Sequence, residues 1–146
     1  DLARVQRAVD LARLGPDLER FPQGLDTIVG ERGVTLSGGQ RQRVTIARAA
    51  AMEPALWVFD DCLSSVDAAT EQAIIRNLRN LATRSTALFV THRLLGFEGV
   101  DRIVVLQDGR LSEQGSHEEL LAAGGWYARL YRRQRLEREL GAEGAA

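Results

Sequence analysis

A Ser-Gly-Gly-Gln tetrad at positions 37–40 constrains this chain more than any other feature. Ser37 with Gln40 three residues on is the Ser-x-x-Gln form of a capping box, which starts a helix by satisfying backbone donors reciprocally across its first turn. Gly38 and Gly39 leave two N–H groups without side-chain obstruction at the positive end of the helix dipole. Such a start suits an anion, phosphate above all. The same tetrad also serves as a plain helix cap, and taken alone it does not separate the two roles. Val44, Ala47 and Ala51 carry the helix towards the residue before Pro54, where the proline ring disfavours helical backbone.

The residues after Pro54 set the fold class. ALWVF at 55 to 59 is a short apolar run that ends in two carboxylates, Asp60 and Asp61, and reads as a buried parallel strand with polar work at its carboxyl end. Asp67 can cap a following helix whose apolar positions Ile74, Ile75, Leu78 and Leu81 keep the 3.6 period. TALFV at 86 to 90 is a second buried strand, so strand, helix and strand form the βαβ pattern of an α/β sheet. RIVVLQ and RLSEQ then flank Asp108-Gly109, a pair that favours the type I′ turn of a hairpin. Ser116 with Glu119 is another capping box, and Trp126 to Leu140 is a final arginine-rich helical stretch. Ahead of the tetrad, Leu2, Val5, Val9 and Ala12 recur at helical spacing until Gly15-Pro16 stops them. A Gly-punctuated connection from Pro22 to Thr35 follows.

Composition bounds the partners. A chain of 146 residues that is 45% apolar can bury one domain core. With a net charge of −1 and acids and bases interleaved, it presents no basic face for nucleic acid or anionic lipid. No apolar run reaches the ~18 residues of a membrane span. The chain opens on Asp1 and its only Met is Met52, so it reads as part of a longer protein. Cys62, the lone cysteine, reads as a small buried residue. All 19 basic residues are Arg.

In order and spacing, LSGGQRQRVTIARA, ALWVFDD, SSVD and the strand ending in Thr91-His92 resemble the ATP-binding cassette family, whose signature, Walker B, D-loop and H-loop follow one another in this way. The resemblance covers nearly the whole chain. It implies an α/β P-loop NTPase fold lacking the Walker A strand-loop-helix, with a helical-subdomain portion over 1–52, a catalytic-core portion with terminal hairpin and helices over 53–140, and a tail over 141–146. It implies ATP and Mg²⁺ as cofactors. Asp60 matches the Walker B aspartate that holds Mg²⁺, against the plainer role of a strand-end cap. Ser37, Gly38, Gly39 and Gln40 match the signature that contacts ATP bound to an opposite cassette. Ser64 to Asp67 match the D-loop, and Asp67 can cap its helix at the same time. His92 matches the H-loop histidine that bonds the γ-phosphate. His117 shares no motif and is read as structural.

Two departures narrow the reading. Asp61 stands where active cassettes carry a water-polarising glutamate, and shortening that side chain by a methylene withdraws the carboxylate by roughly 1.5 Å, enough for a large loss of rate. The pattern resembles one subunit of a heterodimeric exporter, with a degenerate site of its own and an intact signature lent to its partner. The second departure is the missing lysine, which a GxxxxGK[ST] loop requires; the chain alone is therefore expected not to hydrolyse ATP. GLDTIVGERG at 24–33 resembles the X-loop of exporters, whose glutamate, here Glu31, touches coupling helices of the membrane domain; the alternative is a solvated loop charge. The ending GGWYARLYRRQ resembles bacterial multidrug exporters of the MdlA kind, which implies the cytoplasmic face of the bacterial inner membrane. A non-catalytic interaction module and an incomplete gene fragment remain the alternatives.

Overall fold

Helices before and after a pair of parallel strands in chain order follow from the caps and apolar runs above. The computed structural model describes residues 1–30, 33–81 and 85–143, and it divides into two units, Asp1–Val90 and Thr91–Ala146.

In the first unit Asp1 caps α1 (Leu2–Leu11) by accepting from the N–H groups of Ala3 and Arg4. The expected helical face shifts: Ala8, Val9, Leu11 and Ala12 are buried, whereas Leu2 and Val5 are exposed. α1 ends ahead of Gly15-Pro16, and that pair then starts a single turn, α2 (Gly15–Leu18), because proline is tolerated where a helix has no intrahelical N–H bond to make. After a 3-10 turn at Gly24–Asp26, α3 (Gly38–Ala50) runs to a C-cap at Ala51, and Glu53 takes a left-handed φ of 49° just before Pro54. α3 packs against α1 and buries Ile46.

β1 (Leu56–Asp60) pairs in parallel with β2 (Thr86–Val90), Leu56 opposite Thr86 through Asp60 opposite Val90. α4 (Ala68–Leu81) is the crossover between them and buries Ile74, Ile75 and Leu78. Asn77 on α4 donates to the carbonyl of Leu11 at 3.1 Å, satisfying a backbone acceptor that the end of α1 leaves open. The strands are not buried on both faces, as the continuous apolar runs suggested. Trp57, Phe59 and Phe89 stack in sequence on one side, and Trp57 and Phe59 are buried. Leu56, Val58, Leu88 and Val90 on the other side are each more than half exposed. Side chains alternate across a strand, so covering one face leaves every second apolar residue in water.

In the second unit β3 (Ile103–Gln107) and β4 (Arg110–Gly115) form the expected hairpin, with an irregularity of register at Val105/Leu106. Asp108 and Gly109 both have positive φ, 51° and 72°, as a type I′ turn demands. The Ser116–Glu119 capping box opens α5 (His117–Ala123), which ends on Gly124 in the left-handed region, and α6 (Trp126–Glu143) follows. Val105, Leu120 and Tyr127 form the core here, with Leu94, Ile103, Leu121 and Tyr131 packed around it. Among the described residues no helix is long and apolar enough to cross a membrane.

Candidate functional site

The tetrad does what its sequence predicts. Ser37 Oγ accepts from Gln40 N–H at 3.2 Å, and Gln40 Oε1 accepts from Ser37 N–H at 2.8 Å, closing the capping box at the start of α3. Ser37 is exposed, and its hydroxyl, having accepted one bond, keeps its own proton to donate.

Two features that the sequence did not announce hold this turn in place. Gln40 Nε2 donates to Asp17 Oδ1 at 2.9 Å, while Arg43 Nη1 donates to Asp17 Oδ2 and to the carbonyl of Arg13. The Asp17 carboxylate accepts but cannot donate, so it turns the Gln40 amide nitrogen towards itself and the oxygen towards Ser37, the orientation the capping box needs. Both members of the Arg43–Asp17 pair are nearly buried, with side chains 14% and 13% exposed. Burial pushes the Asp17 carboxyl up, but hydrogen bonds from Arg43 and Gln40, reinforced by the Arg43 and Arg20 guanidinium charges, outweigh it and hold the carboxyl below its ordinary 3.8.

On its other side the turn lies against residues 64–66. A Cβ on Gly39 would stand 2.8 Å from the Ser65 carbonyl oxygen, and one on Gly38 would stand 3.4 Å from Ser65 Cβ. Only glycine at 39 permits this approach. The Gln42 side chain spans the same contact, donating from Nε2 to Ser64 Oγ at 2.9 Å and accepting from Ser65 N–H at 2.9 Å.

The carboxylates follow β1. Asp60 is exposed at the carboxyl end of the strand. Asp61 donates its N–H to the carbonyl of Val90 at 2.9 Å and has a φ of 43°, a left-handed conformation that Asp adopts more readily than most residues. Cys62, between these acids and the turn, is half-buried, and burial pushes its thiol up to about 11, so it carries no thiolate near neutral pH. Asp67 Oδ1 accepts from Thr70 N–H at 3.0 Å and caps α4; that bond holds its carboxyl below the usual range. Among the described residues no group of three or more His, Cys, Asp or Glu could hold a metal ion. Asp60 offers one exposed carboxylate, which fits a Mg²⁺ ion whose remaining ligands are phosphates and water, and would not suit a metal held by protein alone.

His92 lies in the second unit and is exposed. Its carbonyl accepts from Gln134 Nε2 at 2.7 Å, and Gln134 Oε1 accepts from Leu94 N–H at 2.8 Å, so one amide on α6 ties down the segment that carries the histidine. His117 Nδ1 lies 2.8 Å from the Tyr127 hydroxyl, and its ring meets Tyr131 edge-on, inside the α5–α6 packing. Glu31 lies outside the described residues.

Comparisons with known proteins bear on the family of the chain. The family model described as ABC transporter matches residues 3–64. Over 132 residues, 90% of this chain, the sequence is 49% identical to a protein named as a probable multidrug resistance ABC transporter ATP-binding/permease protein, YheI, of Bacillus subtilis. It is 43% identical over 136 residues, 93% of this chain, to the multidrug resistance-like ATP-binding protein MdlA of Escherichia coli. An ATP-dependent lipid A-core flippase of Cupriavidus pinatubonensis is 45% identical over 134 residues, 92% of this chain. The chain spans 23% of the length of each of these relatives. A solved bacterial Atm1-family ABC exporter with ATP bound superposes with a TM-score of 0.84 at 44% identity, over 92% of this chain and 24% of that one. A capped Ser-Gly-Gly turn, a strand-end aspartate and this likeness along nine-tenths of the sequence place the chain in the ABC transporter family, as a segment of its ATP-binding domain.

Proposed function

We propose that this chain is the signature-bearing part of an ATP-hydrolysing subunit that powers export across the cytoplasmic face of a bacterial inner membrane. The observation that carries the reading is the Ser37 turn, a hydroxyl and glycine N–H groups at a helix N-terminus, backed closely by the Ser65 backbone. In this reading ATP with Mg²⁺ supplies the phosphoryl group and neutralises its charge. Ser37, Gly38 and Gly39 donate to phosphate held by a second cassette, and Gln40 and Asp67 keep the turn and the D-loop capped. Asp60 serves as the metal-facing carboxylate and His92 as the donor to the γ-phosphate. Glu31 faces the coupling helices of a membrane domain. Multidrug or lipid-like substrates are the cargo that the named relatives suggest. We assign 1–52 to the helical subdomain, 53–140 to the catalytic core and 141–146 to a tail.

The partner is a different chain, because Asp61 places a short carboxylate where a longer one would reach the attacking water. The left-handed backbone at Asp61 adds to the argument: a residue with φ of 43° costs less as Asp than as Glu. The lysine that reaches the phosphates comes from outside these 146 residues, since the sequence has none.

The test is ATP turnover by the assembled pair. Ser37→Ala removes one donor to the transferring phosphate, and the expected loss is about 10²-fold in kcat; turnover equal to the unmodified pair would overturn the signature assignment. Asp61→Glu is expected to raise turnover at the site lined by this chain, and unchanged occupancy and rate there would dismiss the degenerate-site reading. Turnover by the purified 146-residue chain alone would contradict the dependence on a second segment.

A further inference from the structure

We propose that Gln42 is a positioning residue that clamps the Ser64–Ser65 turn onto the start of α3, so that the phosphate-facing turn and the loop following the acidic strand end move as one body. The inference rests on the ATPase reading for its catalytic consequence, but its geometric content stands apart from that reading.

Gln42 does not belong to the capping box, and helix propensity favours it no more than Arg, Lys, Met or Glu at this position. Its amide makes two bonds of opposite sense, Nε2 to Ser64 Oγ at 2.9 Å and Oε1 from Ser65 N–H at 2.9 Å. The Ser65 N–H can only donate, which fixes the amide oxygen on that side and presents the nitrogen to the hydroxyl. The two bonds join residues 22 and 23 positions apart in sequence. They lie beside the place where Gly39 approaches the Ser65 carbonyl too closely for any side chain. The turn at 64–66 is tied in turn to the acidic strand end, because Ser64 N–H donates to the Asp61 carbonyl at 3.3 Å. A continuous chain of bonds therefore runs from the carboxylate-bearing end of β1 through Ser64 and Gln42 to the helix whose first turn carries Ser37. In the two-cassette assembly those ends serve different nucleotides, so the clamp transmits a shift at one to the other.

Methionine has the length and flexibility of glutamine without its hydrogen bonds. Gln42→Met therefore keeps the packing and removes the clamp. Glutamate retains a carboxylate oxygen that accepts from Ser65 N–H, the bond that holds the backbone of the turn. The experiment uses the full-length transporter in its assembled pair, with hydrogen exchange of the peptide covering residues 62–66 and the ATP dependence of turnover. In Gln42→Met, exchange at the Ser65 amide is expected to quicken by about tenfold, the scale of one lost hydrogen bond. In the same variant kcat is expected to fall about tenfold with KM for ATP changed less than about twofold, because the turn is misplaced and not removed. Gln42→Glu is expected to restore both. Unchanged exchange in Gln42→Met overturns the clamp, and quickened exchange with unchanged kcat overturns its role in turnover. If the unmodified pair fails to hydrolyse ATP, the proposed function falls and the exchange measurement still decides the clamp.

Discussion

Replacing Gly39 with alanine tests the close approach between the start of α3 and the Ser65 backbone. In an ordinary helix the change stabilises by about 1 kcal/mol, because glycine loses more backbone entropy on folding. Here the added Cβ would stand 2.8 Å from the Ser65 carbonyl oxygen, 3.6 Å from its carbon and 3.7 Å from Val66 Cα, whereas ordinary contact begins at 3.4 Å. The turn and the helix must separate by about 0.6 Å, and both partners are backbone, which yields less readily than a side chain. Overpacking of this kind costs about 1–3 kcal/mol. The same separation stretches two Gln42 bonds of 2.9 Å towards the limit of hydrogen bonding, each with a net contribution of about 1 kcal/mol. After the helix-propensity gain is set against these, a net loss of about 2 kcal/mol remains. With a urea slope of about 2 kcal/mol per molar, the unfolding midpoint of the chain should fall by about 1 M. Gly15→Ala is the control, since a Cβ there meets nothing within 4 Å, and its midpoint should hold or rise. A Gly39→Ala midpoint at or above that of the unmodified chain refutes the close approach and weakens the clamp argument with it.

Two further outcomes are expected from networks elsewhere in the chain. Asp17→Asn leaves Arg43 without its counter-charge and releases the Gln40 amide, costing about 2–4 kcal/mol at pH 7 because both partners are nearly buried. Since the Asp17 carboxyl lies below its ordinary 3.8 when folded, its contribution is fully present above about pH 5 and is lost as the pH falls through the folded value. Urea midpoints of the two proteins should therefore converge as the pH falls below the ordinary 3.8 of the carboxyl, and a gap that stays constant from neutrality would rule out this origin. In the second unit, Glu113→Ala removes the carboxylate that accepts from Trp126 and Tyr127 N–H at the start of α6, and should cost about 1 kcal/mol in a denaturation midpoint. An unchanged midpoint would mean that water replaces the cap without penalty.

Much of this chain was legible one turn at a time. The Ser37–Gln40 and Ser116–Glu119 boxes, the Asp67 cap and the Asp108-Gly109 turn all formed as their residues predict, because each depends on groups within about four positions of one another. The order of signature, acidic strand end and following loop identified the family for the same reason, since those motifs are local strings. The burial of the strands was not legible. A run such as ALWVF is compatible with cover on one face or two, and the choice falls to whatever packs on it. In the described structure Trp57 and Phe59 are covered while Leu56 and Val58 are not.

The residues that fasten these turns and caps within each unit were equally silent in sequence. Asp17, Glu113 and Gln134 belong to no motif, Gln42 and Arg43 lie within the signature string with no role that the string announces, and each of the five acts on a group 13 or more positions away. A lone polar side chain reads as a solvated surface residue until folding brings it an acceptor or donor, and buried bonds form only where distant backbone arrives at 3 Å. The sequence by itself determined which segments begin helices, which become strands and which turn carries a phosphate-suited start. Only the tertiary structure decided that Gly39 would meet the Ser65 backbone and that two glutamines, 40 and 42, would fasten that start on either side, because hydrogen bonds across 22 and 23 residues depend on packing and not on spacing.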